Sequence, residues 1–406
     1  MMTRLTLRAR LACAAVVGVN WLSRVSGRGG GTVAGGRVGL LLCRDLLGQL
    51  TAGRTVVAVS GTNGKTTTTA MIAAGWGSGV ATNSSGANML AGHVVALVGS
   101  TNTRVVLEVD EGWLPDFIRD AHFQVLVLLN LSRDQLDRAS EVRQLAERWR
   151  RRLEESGDPE LVVVANANDP LVVYAALGAR HLRWCDVPTP WLDDARSCPV
   201  CTRALVHERG DWHCICGFAK PVDVSTTLGE ELVVGQSSMR LQLSIPGDFN
   251  RVNAAMAVTA LVEVGVAPEE SIGPITALVD VGGRFTLRRW SGHVVRLALA
   301  KNPAGFSAIL STVEPTPHDV WIAINAKIAD GRDPSWLYDV PFEQLRGHRV
   351  ICLGDRRVDL ATRLEYAGVE FLVADDDSSI PPSLQPVGLI ANYTAFSEWL
   401  AKSAPC

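Results

Sequence analysis

The stretch Val57-Ala58-Val59-Ser60-Gly61-Thr62-Asn63-Gly64-Lys65-Thr66-Thr67 decides the fold. An apolar, β-branched run enters a glycine turn and then a segment that can continue as a helix, the strand–loop–helix order of a phosphate-binding loop. Glycines let backbone N–H groups approach an anion, and a helix N-terminus favours negative charge. Gly61, Thr62, Asn63, Gly64, Lys65, Thr66 and Thr67 are therefore a candidate nucleotide-binding set. Lys65 would reach the outer phosphates, and the Thr66 hydroxyl would bind Mg²⁺. Val59 stands where the general pattern has its first glycine, so the loop belongs to a variant class or is an accidental match.

In and around this stretch, residues 55–60, 105–110, 124–131 and 161–165 read as strands that are apolar almost throughout. Strands buried on both faces look like this, and alternation with helical stretches implies a parallel α/β sheet. Residues 141–155 read as a charged surface helix and 253–264 as a buried, Ala-rich one. After Gly282-Gly283 the pattern restarts, with strand-like runs at 294–300, 320–325, 349–354, 369–374 and 387–392. The expected fold class is α/β: a P-loop parallel-sheet central domain over 51–285 and a second, Rossmann-like α/β domain over 286–406. A short N-terminal segment, 1–50, precedes them, with the Gly-rich stretch 27–36 inside it.

At about 150 residues per domain, the 406 residues suit this division. Hydrophobic residues at 47%, charged residues at 20% and a mean hydropathy of +0.15 exclude global disorder. A net charge of -3 excludes the strongly basic footprint of a nucleic-acid binder. Nine cysteines are an odd number, and Cys13, Cys43, Cys185, Cys352 and Cys406 are scattered without spacing. That argues against a disulfide framework and for a reducing, cytoplasmic setting. Near the start, Arg4, Arg8 and Arg10 precede an apolar run at 11–22 that contains Asn20. The run is shorter than the ~20 residues that span a bilayer. A basic amphipathic helix accounts for it, with a cleaved or anchoring segment as the open alternative and peripheral contact with a membrane as a consequence of the first.

The other cysteines are spaced. Cys198-Pro-Val-Cys201, twelve residues, then Cys214-Ile-Cys216-Gly217 form a zinc-ribbon-like insertion at about 190–222. Four thiolates in tetrahedral array would hold a structural Zn²⁺ with no open position for chemistry. The second pair is one residue short of Cys-x₂-Cys, so His213 or a strained turn could compensate, and unligated cysteines in a degenerate ribbon are the alternative.

Gly61-Thr-Asn-Gly-Lys-Thr-Thr resembles the ATP loop of the Mur ligase family, which includes the folylpolyglutamate synthases. Those enzymes phosphorylate a carboxylate with ATP, and an amine attacks the acyl phosphate. Three further blocks follow in the family's order: Thr82-Asn-Ser-Ser-Gly86-Ala-Asn88 as the substrate-side loop, Leu107-Glu108-Val-Asp110-Glu111 as the acidic strand end, and Pro246-Gly-Asp-Phe-Asn250-Arg-Val-Asn253 as the adenine-contacting segment. The resemblance implies that Glu108 with Thr66 binds Mg²⁺ and that Asn250 and Asn253 face adenine; Asn253 reads equally as an N-cap. Arg284 would follow the nucleotide, with a plain surface arginine as the alternative.

Within the family, three features resemble the MurT branch. Asn130-Leu-Ser-Arg-Asp134-Gln135 carries Gln135 where Mur ligases usually carry histidine; the cysteine insertion is the second feature. The third is the pair of blocks Ala300-Lys301-Asn302-Pro303-Ala-Gly305-Phe306 and Ala329-Asp330-Gly331-Arg332-Asp333-Pro-Ser335-Trp336-Leu-Tyr-Asp339. Trp336 reads as marking a loaded surface, against a plain polar loop with Asx-type hydrogen bonds. What the MurT resemblance implies is ATP-dependent amidation of the α-carboxylate of D-glutamate in the lipid II stem peptide. Ammonia would come from a GatD-type glutaminase partner, and Asp339 would complete that partner's Cys–His pair. The setting would be cytoplasmic, at the inner face of the membrane. A Mur- or folylpolyglutamate-type ligase that adds an amino acid, and an ATP-binding scaffold without turnover, stay open as alternatives.

Overall fold

A computed structural model describes residues 5–25, 33–83, 87–133, 142–189, 191–208, 210–282, 284–316, 318–374, 379–380 and 387–406. The chain folds into two compact units, one of 1–131, 142–243 and 250–278, the other of 132–141, 244–249 and 279–406.

In the first unit, helices α1 (Leu7–Val25), α2 (Ala34–Leu42) and α3 (Leu46–Thr51) precede an alternation of strands and helices. β1 (Thr55–Ser60), α4 (Lys65–Gly75), β2 (Val80–Thr82), α5 (Leu90–Leu97), β3 (Arg104–Glu108), α6 (Leu114–Asp120) and β4 (Val125–Leu128) come first. They are followed by α7 (Val142–Ser156), β5 (Val162–Asn166), α8 (Pro170–Ala176) and β6 (His181–Asp186). A small hairpin, β7 (Val206–Glu208) and β8 (Asp211–His213), stands apart from the main sheet. β9 (Thr226–Leu228), β10 (Glu231–Val234) and β11 (Ser237–Arg240) extend that sheet, and α9 (Asp248–Glu263) and α10 (Pro268–Thr276) close the unit.

The nine strands lie in the order β11-β10-β9-β6-β5-β4-β1-β3-β2. From β2 to β9 they are parallel, and β10 and β11 are antiparallel. The chain leaves β1 for the edge, returns beside it as β3, then crosses to its other side as β4. This reversal opens a crevice at the carboxyl end of β1, where open α/β sheets bind ligands. Val56, Val57, Ala58 and Val59 are fully buried, as the all-apolar run requires. α7 shows how a helix with a strongly negative mean hydropathy still docks: Leu145, Ala146, Trp149 and Leu153 fall on one buried face at helical spacing. α1 is anchored in the same way through Ala9, Ala12, Val16 and Asn20, and among the described residues no helix is long and apolar enough to cross a membrane.

The second unit holds β12 (Leu287–Trp290), β13 (His293–Leu299), α11 (Pro303–Leu310), β14 (Asp319–Ala323), β15 (Arg349–Leu353), α12 (Arg357–Ala367), β16 (Glu370–Val373), β17 (Val387–Ala391), α13 (Tyr393–Lys402) and β18 (Ala404–Pro405). Their order is β16-β15-β14-β17-β13-β12-β18, with β13 to β17 parallel and β12 and β18 antiparallel. The α/β fold class is therefore as the sequence implied, with a parallel sheet in each unit.

Two local expectations need correction. Asn253 is not an N-cap, because α9 starts at Asp248, directly after the Pro246-Gly247 break, and Asn253 is well inside it. Trp336 does not mark a loaded surface: it is buried, its ring 5.4 Å from that of Phe306 in the core of the second unit. The loop before it is the polar, internally bonded kind. Asp330 accepts from the Thr394 amide at 2.8 Å and from Lys327 N at 3.2 Å, and Asp333 accepts from Ser335 N at 2.8 Å.

Candidate active site

The turn after β1 is set by two contacts with neighbouring elements. Gly64 caps α4 at φ 89°, in the left-handed region that side chains rarely adopt, and a methyl group there would overlap Asn253 Oδ1 of α9. Asn130, just beyond β4, grips the loop from the other side. Its carbonyl accepts Thr62 N–H at 2.9 Å, its Oδ1 accepts Asn63 N–H at 2.9 Å, and its Nδ2 donates to Asn63 O at 3.0 Å. The loop is thus shaped by the fold before any ligand arrives, with the N-terminus of the eleven-residue α4 at its end.

Lys65 is buried, and its ammonium is embedded in the loop itself. Nζ lies 2.6 Å from Gly61 O, 3.1 Å from Thr62 O and 2.7 Å from Glu111 Oε2. The Lys65–Glu111 pair has little solvent access on either side, so each charge offsets a desolvation cost the other would otherwise leave bare. One residue on, Thr66 Oγ1 donates to Glu108 Oε2 at 2.8 Å. β1 and β3 run side by side with Val59 opposite Glu108, which brings that carboxylate to the start of α4.

Glu108 is held by its backbone. Its N–H donates to Asn83 Oδ1 at 2.8 Å, and its carbonyl accepts from Asn83 Nδ2 and from His93 Nε2, both at 2.8 Å. A carbonyl only accepts, so Nε2 carries the proton. Burial pushes the His93 pKa down to about 4, which keeps the ring neutral in this role. Asn88 Nδ2 lies 3.4 Å from Glu108 Oε1, and Trp149 Nε1 donates to Glu111 O at 2.9 Å.

The structure brings together Gly61 to Thr67, Glu108, Asn250 and Asn253 in the first unit. Asn250 is fully buried and accepts from Asn253 Nδ2 at 3.3 Å. Arg284 and Asp339 belong to the second unit. Arg284 is half-buried beside the Val281 bridge, and Asp339 is exposed and 3.3 Å from Arg133. Gln135, Asp134 and the Ser84-Ser85-Gly86 part of the substrate-side loop lie outside the described residues. Sequence reasoning gave no role to Glu111, Asn130, Asn83 or His93. All but His93 stood inside quoted motifs, but nothing local tells a carboxylate that pairs with lysine from one that faces solvent.

The donor set fits a magnesium nucleotide. A threonine hydroxyl and a carboxylate are hard oxygen ligands, already within hydrogen-bond distance of each other at the helix start. The buried lysine at the start of the same helix supplies positive charge.

The cysteine cluster is a second candidate site. Sγ of Cys198, Cys201, Cys214 and Cys216 all lie within 4.8 Å of one another. Cys201 and Cys214 sulfurs are 3.4 Å apart and those of Cys198 and Cys216 3.7 Å, against about 3.8 Å for thiolates around a tetrahedral zinc. The short second knuckle turns through Gly217 at φ 91°, whose N–H reaches Cys214 O at 2.9 Å. His213 is in β8 and is not part of the group, so it does not compensate as the sequence suggested.

Two family models match the chain: the Mur ligase middle domain over residues 59–183 and the MurT ligase C-terminal domain over 299–396. Subunit MurT of the glutamine-hydrolyzing lipid II isoglutaminyl synthase of Staphylococcus aureus is 31% identical over 344 residues, covering 78% of each chain. The corresponding Streptococcus pneumoniae subunit is 27% identical, covering 91% of this chain and 92% of its own. Among solved structures, a pseudomurein peptide ligase type C from Methanothermus fervidus aligns with TM-score 0.66 at 19% identity, covering 85% of this chain and 77% of that one. A folylpolyglutamate synthase/dihydrofolate synthase from Yersinia pestis aligns with TM-score 0.56 at 16% identity, covering 87% and 90%. The chain belongs to the MurT family of Mur ligases.

Proposed function

We propose that this chain is the synthetase subunit of a lipid II isoglutaminyl synthase. It is an ATP-dependent carbon–nitrogen ligase that converts D-glutamate of the stem peptide to D-isoglutamine. The observation that carries the reading is the Lys65–Glu111 and Thr66–Glu108 pairs at the start of α4, in a chain whose other unit matches the MurT C-terminal model.

On this reading the amides of Gly61 to Thr67 cradle the phosphates and Lys65 balances the charge that develops on the transferred group. Thr66 and Glu108 would hold Mg²⁺, which neutralises phosphate charge when bound. Asn253 and Asn250 shape the adenine side, and Arg284 follows the nucleotide. The α-carboxylate of D-glutamate attacks the γ-phosphorus, ADP leaves, and an acyl phosphate results. Ammonia then attacks the carbonyl carbon, phosphate leaves with the C–O electron pair, and the amide remains after loss of a proton. A GatD-type glutaminase would supply the ammonia, with Asp339 completing its Cys–His pair. The four cysteines would hold a structural Zn²⁺. The work would be done in the cytoplasm at the inner membrane face, where a lipid-linked acceptor is met. Residues 51–285 would then bind nucleotide, and 286–406 would serve the acceptor and the partner.

The test is the dependence of ADP release on the amine. With lipid II and Mg²⁺, release should need ammonium or a glutaminase with glutamine, and Lys65→Ala should abolish it. Release that needs an amino acid instead would make the chain an amino-acid-adding ligase. Nucleotide binding without any release would make it a scaffold.

A further inference from the structure

α1 presents two apolar faces, and the fold uses one of them. Ala9, Ala12, Val16 and Asn20 are buried against the rest of the first unit, and Asn20 Oδ1 accepts Gly35 N–H of α2 at 3.1 Å. At 3.6 residues per turn, Leu7, Leu11, Trp21, Leu22 and Val25 fall within about 100° of one another on the opposite side. All five are exposed, Leu11 by 63% and Trp21 by 62%. Because the inner face is anchored, the outer one is held pointing away from the core. A stripe of this kind along the whole of a 19-residue helix is more apolar surface than water-facing helices carry.

The charge around it is one-sided. Residues 1–44 contain seven arginines and no aspartate or glutamate, while the whole chain carries -3. Arg8, Arg10 and Arg24 of α1 and Arg37 of α2 are exposed beside the stripe. Asp45 follows directly and is exposed near Arg8, so the border is predominantly rather than exclusively basic; arginines in such excess around leucines and a tryptophan suit anionic headgroups above acyl chains. Trp21 has the amphipathic ring that settles at that depth.

We propose that the outer face of α1 docks on the surface of an anionic phospholipid bilayer, with α1 lying parallel to the membrane plane. The stripe enters the acyl boundary, and the arginines meet the phosphates. The anchored inner face makes the whole first unit, not a loose tail, the body that is held at the surface. The inference does not rest on the proposed reaction, since it concerns plain lipid.

The experiment is flotation of the full chain with vesicles of phosphatidylcholine alone and of phosphatidylcholine with phosphatidylglycerol, without lipid II or ATP. The chain should float with the anionic vesicles, less so at high salt, and stay behind with the neutral ones. Removing an arginine near the surface costs about fivefold in partitioning, so Arg10→Gln/Arg24→Gln should lose about 25-fold. Leu11→Ser/Leu22→Ser should lose at least about tenfold, with melting temperature unchanged because both leucines are exposed. No flotation, flotation indifferent to lipid charge, or serine variants that float like the parent would overturn the proposal. So would a concentration-dependent dimer that the serine substitutions dissolve, since the face would then belong to a second copy.

Discussion

Replacing Gly64 with alanine strikes the loop in two separable ways. Its backbone is at φ 89°, and placing an L-residue in the left-handed region costs about 1–2 kcal/mol. The new methyl would also overlap Asn253 Oδ1 and lie 3.2 Å from Asn253 Cγ. That side chain would have to move and give up its 3.3 Å bond to Asn250, a buried hydrogen bond with a net contribution of about 0.5–1.5 kcal/mol. The two together predict a loss of about 2–3 kcal/mol. In an Asn253→Ala background the second cost is gone, so Gly64→Ala should then cost only about 1–2 kcal/mol. Urea unfolding of the four chains by far-UV circular dichroism gives the cycle, and titration with a fluorescent ATP analogue reports the loop itself. Affinity for the analogue should fall with Gly64→Ala, because the same displacement distorts the amides that meet phosphate. Equal costs in both backgrounds, or a single-variant cost under about 0.5 kcal/mol, would refute the claim that α9 sets the shape of the loop.

Glu111→Gln keeps the shape but removes the partner charge of a buried ammonium, so stability should fall by about 1–3 kcal/mol and ADP release should slow more than nucleotide affinity weakens; unchanged turnover would deny Glu111 any part in placing Lys65. His93 is held neutral with a pKa of about 4, below its unfolded value of about 6.5. Its contribution is therefore complete above pH 6.5 and is lost as pH falls towards 4, about 3 kcal/mol in all. Subtracting the urea stability of His93→Gln from that of the parent across this window should reveal that slope, and a flat difference would contradict it. The subtraction is needed because Asp169, pushed up to about 6 by burial, acts in the opposite sense. A raised carboxyl pKa favours the folded state below about pH 4 and loses that advantage as pH rises through 6. Finally, Cys216→Ser should lower bound zinc, read by elemental analysis, from near one per chain and lower the melting temperature; a parent protein free of metal after purification with zinc would contradict the structural-site reading.

What the sequence made legible was whatever is local. The strand at 55–60 has the bounds read from its apolar run, and the glycine turn and helix follow it as a phosphate loop should. The other strands were found with ends a residue or more off, because edges are fixed by pairing: β4 ends at Leu128, where its partner β1 ends at Ser60. The N-cap alternative for Asn253 fails because an Ala-rich pattern shows where a helix is buried, not where it begins. Trp336 was misread because a tryptophan among acidic residues looks exposed until Phe306 and Phe342 are seen to enclose the same space. Glu111, Asn83, His93 and Asn130 act through partners 15 to 67 residues away, and such distances carry no sequence spacing to read.

In the proposed reaction Lys65, Thr66 and Glu108 drive amide formation on lipid II. Its most direct test is mass spectrometry of lipid II carrying D-glutamate after incubation with the purified chain, ATP, Mg²⁺ and ¹⁵N-ammonium. One labelled amide is expected on the glutamate α-carboxyl, and none with Lys65→Ala or Glu108→Gln. Unlabelled lipid II with the intact chain, even when a glutaminase partner is added, or label that persists in both variants, would contradict it.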